Sequence, residues 1–158
     1  DVYVSDWRND RVQKFTADGE FIFAFGCSGS GDGEFDHPAG LYVDKDGDIY
    51  VADTLNNRIQ VFNAEAEYVT KFLGDATLSK SGRTYLMANP KPMRLREMAK
   101  LEEQKLLRKP KSVVVGDDGL MYVPDYGSYR VQVYQKEAVP LDESQIFPPL
   151  RSPTLATT

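Results

Sequence analysis

The sequence predicts an all-β fold: a partial β-propeller of about three four-stranded blades, with one helical insertion and an extended C-terminal tail. Three observations carry this. A motif of a strand-like run ending in Asp, four residues, and a second run opening on Arg occurs three times. Within each copy, apolar and polar residues alternate with the period of two expected of half-buried strands. A proline lies 15 residues before the Asp in the second and third copies, so two landmarks keep one register.

The first copy runs from Asp1-Val-Tyr-Val-Ser-Asp6 to Arg11-Val-Gln-Lys-Phe15. The second runs from Ile49-Tyr-Val-Ala-Asp53 to Arg58-Ile-Gln-Val-Phe62, and the third from Met121-Tyr-Val-Pro-Asp125 to Arg130-Val-Gln-Val-Tyr134. Asp6 and Asp53 are 47 positions apart, whereas Asp53 and Asp125 are 72 apart, so the 25 extra residues form an insertion before the third copy. The second copy divides into four strands, Leu41 to Asp44, Ile49 to Thr54, Arg58 to Phe62 and Tyr68 to Leu73. Asp46-Gly47, Asp18-Gly19, Asp118-Gly119 and Asn56-Asn57 supply turn residues between such strands. Four antiparallel strands in a repeat of about 45 residues correspond to one propeller blade. The expected organisation is a partial blade over 1–26, a full blade over 33–74, a basic insertion over 75–106, a third blade over 107–137 and a Pro-rich arm over 138–158.

The stretch Gly33-Glu-Phe-Asp-His-Pro38 through Gly47-Asp-Ile-Tyr-Val-Ala-Asp53-Thr-Leu-Asn-Asn-Arg58-Ile-Gln-Val-Phe62 resembles a complete NHL repeat. The resemblance is partial over residues 1–26. Over 107–135 it drifts, with Pro124 in the place of Ala52 and Gly127-Ser128 in the place of the Asn pair. It implies an NHL-type propeller.

Composition excludes several classes. At 158 residues, 41% hydrophobic and 27% charged, the chain resembles soluble domains and has no apolar run of membrane-spanning length. One cysteine, Cys27, and one histidine, His37, provide neither a disulfide framework nor a three-histidine metal site, and the compartment stays open. Cys27 has no basic neighbour in sequence to activate it. Asp44, Asp46 and Asp48 lack the Gly and Glu spacing of a calcium loop and are read as an acidic hairpin turn. The recurring Asp and Arg are read as structural pairs bracketing a loop, in preference to a ring of arginines that holds an anion. No catalytic residue, metal or cofactor is expected.

Residues 75–111 hold ten Lys or Arg and four acids, against a net charge of −5 for the whole chain. Met93 to Arg108 is predicted to be a helix, since it lacks Gly and Pro and is rich in Leu, Met, Ala, Glu, Lys and Arg. Arg94, Arg96 and Lys100 are its candidate binding cations. If the loop between a blade's second and third strands shares a face with the connection to the next blade, Trp7, Arg8 and Asn9 join Asn56, Asn57, Tyr126 and Tyr129 there. That face is the expected binding surface, with the aromatic residues as anchors.

Three blades leave two open edges, since propellers close with about four to eight. The chain, which opens inside a strand-like run, is expected to be an internal or processed piece whose edges other chain segments or subunits cover. The function expected is a non-catalytic scaffold for protein–protein interaction, as a component of a larger assembly. Two alternatives stand beside it: a metal-dependent enzyme resembling amidating lyases or lactonases, its site on other blades, and RNA binding through the basic insertion. Nucleic acid is disfavoured by the acidic blades.

Overall fold

The computed structural model describes residues 1–76, 88 and 104–135. Their regular elements are ten strands in three antiparallel sheets and one 3-10 turn. The first sheet contains β1 (Val2–Asp6), β2 (Arg11–Phe15) and β3 (Phe21–Phe25) in that order. The middle sheet contains β4 (Pro38–Val43), β5 (Ile49–Asp53), β6 (Arg58–Phe62) and β7 (Tyr68–Phe72), again in chain order. The last contains β8 (Val114–Val115), β9 (Leu120–Asp125) and β10 (Arg130–Gln135). The 3-10 turn, Tyr126–Ser128, joins β9 to β10.

The all-β class and the antiparallel sheets therefore follow the sequence reading. In register, Asp6 faces Arg11, Asp53 faces Arg58 and Asp125 faces Arg130, so each Asp and Arg is the last pair of its hairpin. The first strand of the middle sheet begins at Pro38 rather than Leu41, because Pro38 pairs with Asp53 before the register shifts. The helix over Met93 to Arg108 lies largely outside the described residues; at its end Gln104 and Lys105 are helical and residues 106–108 are not. Arg94, Arg96, Lys100 and the arm over 138–158 also lie outside.

Alternation sends side chains of β5 and β6 to both faces of the middle sheet, and both are buried. Ile49, Val51 and Phe62 pack with Val12 and Phe35 against the first sheet. Tyr50, Ala52, Ile59 and Val61 pack with Leu107, Val113, Met121 and Val123 against the last. Phe62 lies 4.9 Å from Phe25 and 5.6 Å from Phe35, centroid to centroid, in tilted contacts that add about 0.5–1.5 kcal/mol each beyond burial. The middle and last sheets approach closely at Gly40, whose N–H donates to Lys111 O at 2.9 Å. A Cβ there would lie 2.8 Å from that oxygen.

Candidate functional site

The loops joining β1 to β2, β5 to β6 and β9 to β10 lie beside the connections between sheets. Leu55 N–H donates to Asp36 O at 3.1 Å, and Gly127 N–H donates to Arg108 O at 2.7 Å. This loop face is built on the carboxylate that ends each hairpin strand. In the middle sheet Asp53, wholly buried, accepts from Arg58 Nε at 2.7 Å, Gln60 Nε2 at 3.1 Å, Asn56 Nδ2 at 3.0 Å and the backbone N–H of Asp36 at 2.8 Å. A buried carboxylate needs such donors to offset lost hydration. Arg58 directs three further donors to the connection, reaching Ser30 O, Gly31 O and Glu34 O at 2.7–2.9 Å. One ion pair thus ties two hairpin strands to the segment that leads into them.

The last sheet repeats the device. Asp125 accepts from Arg130 Nε at 2.8 Å, Gln132 Nε2 at 3.0 Å and Arg108 N–H at 2.6 Å, while Arg130 Nη2 donates to Leu106 O at 2.8 Å. In the first sheet Asp6 accepts from Arg11 Nε at 3.1 Å and Asn9 Nδ2 at 2.9 Å. These donors, Asn9 above all and then Arg11, hold the Asp6 carboxyl below its ordinary pKa against the opposing effect of desolvation.

A second bond joins neighbouring sheets. Asp10 Oδ1 accepts the backbone N–H of His37 at 2.8 Å, and Asn57 Oδ1 accepts that of Lys109 at 2.9 Å. Asp10, Asn57 and Tyr129 hold the same loop position with left-handed φ of 49°, 55° and 52°. Asp and Asn tolerate that conformation, whereas a bulky aromatic residue is strained in it.

The family model of the NHL repeat matches residues 35–62. The chain carries an NHL repeat. Asp53, Asn56, Arg58 and Gln60 all lie within this NHL repeat, and the sheets before and after it reuse its Asp and Arg.

Comparison with curated proteins found no match. Among solved structures, the chain is similar to a structural genomics protein of unknown function from Bacteroides thetaiotaomicron. Identity is 18% and the TM-score 0.59, over 84% of this chain and 32% of that one. It is also similar to virginiamycin B lyase from Staphylococcus aureus, at 12% identity and a TM-score of 0.46, over 87% of this chain and 38% of that one. These likenesses concern the fold alone, and the chain spans about a third of the length of both proteins.

The predicted site residues divide in two. Asn9 and Asn56 cap Asp6 and Asp53, and Asn57 makes the bond to Lys109, so their amides serve the fold. Trp7, Tyr126 and Tyr129 remain 50%, 64% and 94% exposed, with Leu55 between them in chain order and exposed too. Arg8 lies over the Trp7 ring, 5.0 Å from its centroid, and His37 lies 5.4 Å from it. Ser5, Trp7, His37, Thr54, Leu55 and Lys111 line a depression of about 370 Å³. A groove of about 990 Å³ runs along Asn57, Leu73, Gln104, Leu106, Arg108 and Ser128.

Among the described residues, Asp10, Asp36 and His37 are the side chains whose ligand atoms lie within 4.8 Å of one another and could hold a metal. Each has a role in the fold: Asp10 bonds His37 N–H, and His37 Nδ1 lies 2.6 Å from Asp36 Oδ1. Asp44 forms the acidic turn expected of it, its Oδ1 accepting from Asp46 and Asp48 N–H at 3.0 Å. Cys27 is exposed. No helix among the described residues is long and apolar enough to cross a membrane.

Proposed function

We propose that the three sheets are consecutive blades of an NHL propeller, and that its loop face docks protein, making the chain a non-catalytic scaffold within a larger assembly. The observation that carries this is Tyr129. It keeps a strained left-handed backbone at a position that Asp10 and Asn57 use for a bond between sheets, yet its ring is almost wholly exposed. Strain and an exposed aromatic side chain do nothing for folding here; both suit an anchor that a partner buries. Trp7 and Tyr126 supply two more such anchors on the same face.

The insertion belongs to this surface. Ala76 N–H donates to Lys105 O at 3.0 Å, so the segment carrying Arg94, Arg96 and Lys100 leaves and returns at one place beside the groove. The outer faces support completion by further blades or subunits. Val2 and Val4 are exposed in the first sheet where Ile49 and Val51 are buried in the middle one, and Val131 and Val133 are exposed where Ile59 and Val61 are buried.

The test is affinity purification of the full-length protein with mass spectrometry, beside a variant carrying Trp7→Ala, Tyr126→Ala and Tyr129→Ala. Partners shared by repeated preparations and lost from the folded variant support the docking face. Identical partners in both overturn it, and stoichiometric zinc or calcium in the purified protein overturns the non-catalytic reading.

A further inference from the structure

The two connections that enter the middle and last sheets have the same backbone bonds and opposite side-chain chemistry. At the first, Asp36-His37-Pro38-Ala39 places Asp36 N–H on Asp53 and His37 N–H on Asp10. At the second, Arg108-Lys109-Pro110-Lys111 places Arg108 N–H on Asp125 and Lys109 N–H on Asn57. The fold therefore uses the same main-chain groups at both connections, whichever side chains these positions carry. Three cations in four residues are not explained by folding.

Arg108, Lys109 and Lys111 are all exposed, and among the described residues none forms an ion pair. The carboxylates that end β5 and β9, Asp53 and Asp125, are buried and engaged by Arg58 and Arg130. The backbone carrying the cations is fixed on both sides: Pro110 O accepts from Thr54 Oγ1 at 2.9 Å and Lys111 O from Gly40 N–H at 2.9 Å. Such a rigid array loses little backbone entropy when a ligand binds.

Each end of the array borders a recess, an apolar one at Lys111 and one of mixed polar and apolar lining at Arg108. Lys111 lies on the depression with Trp7 and Leu55, and Arg108 lies on the groove with Leu73 and Leu106. The cations thus lie between an apolar depression and a groove that offers Leu73 and Leu106 among polar side chains. We infer that Arg108, Lys109 and Lys111 receive an acidic peptide segment of the partner, one whose Asp or Glu residues are interspersed with large apolar ones. This rests on the docking-face reading above and specifies the partner's chemistry. A polyanion such as RNA fits less well, because three cations on an acidic protein neutralise few phosphates and the depression beside Lys111 is apolar.

The test is selection of peptides from a random displayed library on the full-length protein. Peptides rich in Asp or Glu with large apolar neighbours are expected. Their binding should fall about tenfold in a variant carrying Arg108→Gln, Lys109→Gln and Lys111→Gln, and should weaken with added salt. An unchanged thermal transition in that variant separates lost binding from lost folding. Neutral peptides that depend on Trp7 and Tyr129 but not on the cations would overturn the acidic class and leave the docking face standing. Selection of no peptide would count against both. Tighter binding of a uridine-rich RNA oligonucleotide, with the same dependence on the three cations, would reassign the array to nucleic acid.

Discussion

Arg58 and Asp53 form an ion pair of 2.7 Å with both side chains inside the protein, 5% and 0% exposed. Removing one member of such a pair strands the other charge, which costs about 3–5 kcal/mol. Asp53→Ala is therefore expected to lower stability by about that amount in urea unfolding. Asp125→Ala should cost less, because Arg130 is 29% exposed and can be hydrated, and Asp6→Ala least of the three. Equal losses at all three positions would contradict the ranking by burial.

The loop position shared by Asp10, Asn57 and Tyr129 separates stability from binding. Tyr129→Asn should stabilise the protein by about 1 kcal/mol, since Asn adopts positive φ more readily, while weakening partner binding. Asn57→Ala loses the acceptor for Lys109 N–H and should cost about 1 kcal/mol, whereas Asn57→Asp should be tolerated because Asp10 makes the same bond. Thermal melts of the three variants check both statements.

Acid tests the less buried pairs selectively. Asp6, hydrogen-bonded first by Asn9 and then by Arg11, and Asp32, hydrogen-bonded by Lys71, are both held below their ordinary value of 3.8. A carboxyl with a lowered folded-state pKa contributes its stability above the ordinary value and loses it as pH falls through the lowered one. The stability difference between wild type and a variant carrying Asp6→Asn and Asp32→Asn should thus be present at neutral pH and vanish as pH drops below 3.8. A difference that persists or grows in acid would contradict the assignment.

Gly40 marks a close approach of the middle sheet to the connection that enters the last. Gly40→Ala puts a methyl against Lys111 O and Ser112 Cα, both 2.8 Å away, and should cost about 1–3 kcal/mol through overpacking. Gly19→Ala is a contrasting control: nothing lies within 4 Å of its Cβ, so any cost there comes from its φ of 87° alone.

The sheets were legible because β5, β6 and their counterparts alternate with period two and end on a recurring Asp and Arg. The connections were not, because what they contribute is backbone. The N–H groups of Asp36 and Arg108 meet Asp53 and Asp125, yet Asp and Arg share no side-chain chemistry that a sequence comparison would align. A further signal lay in plain view. Gln13, Gln60 and Gln132 each follow the recurring Arg by two positions, and the last two complete the buried networks at Asp53 and Asp125. The polar loop residues that looked suited to binding are used inside the fold, whereas Tyr129 was singled out by its aromatic ring and gains its weight from a backbone angle that sequence does not display.

The docking face is tested most directly by the affinity of a purified, identified partner for two surface variants of the full-length protein. The first carries Trp7→Ala and Tyr129→Ala on the loop face; the second carries Asp18→Lys and Glu65→Lys in the exposed turns before β3 and β7. The account predicts a loss of about thirtyfold or more for the first, as for buried aromatic anchors, and little change for the second. Full affinity in the first variant, with loss in the second, would contradict it.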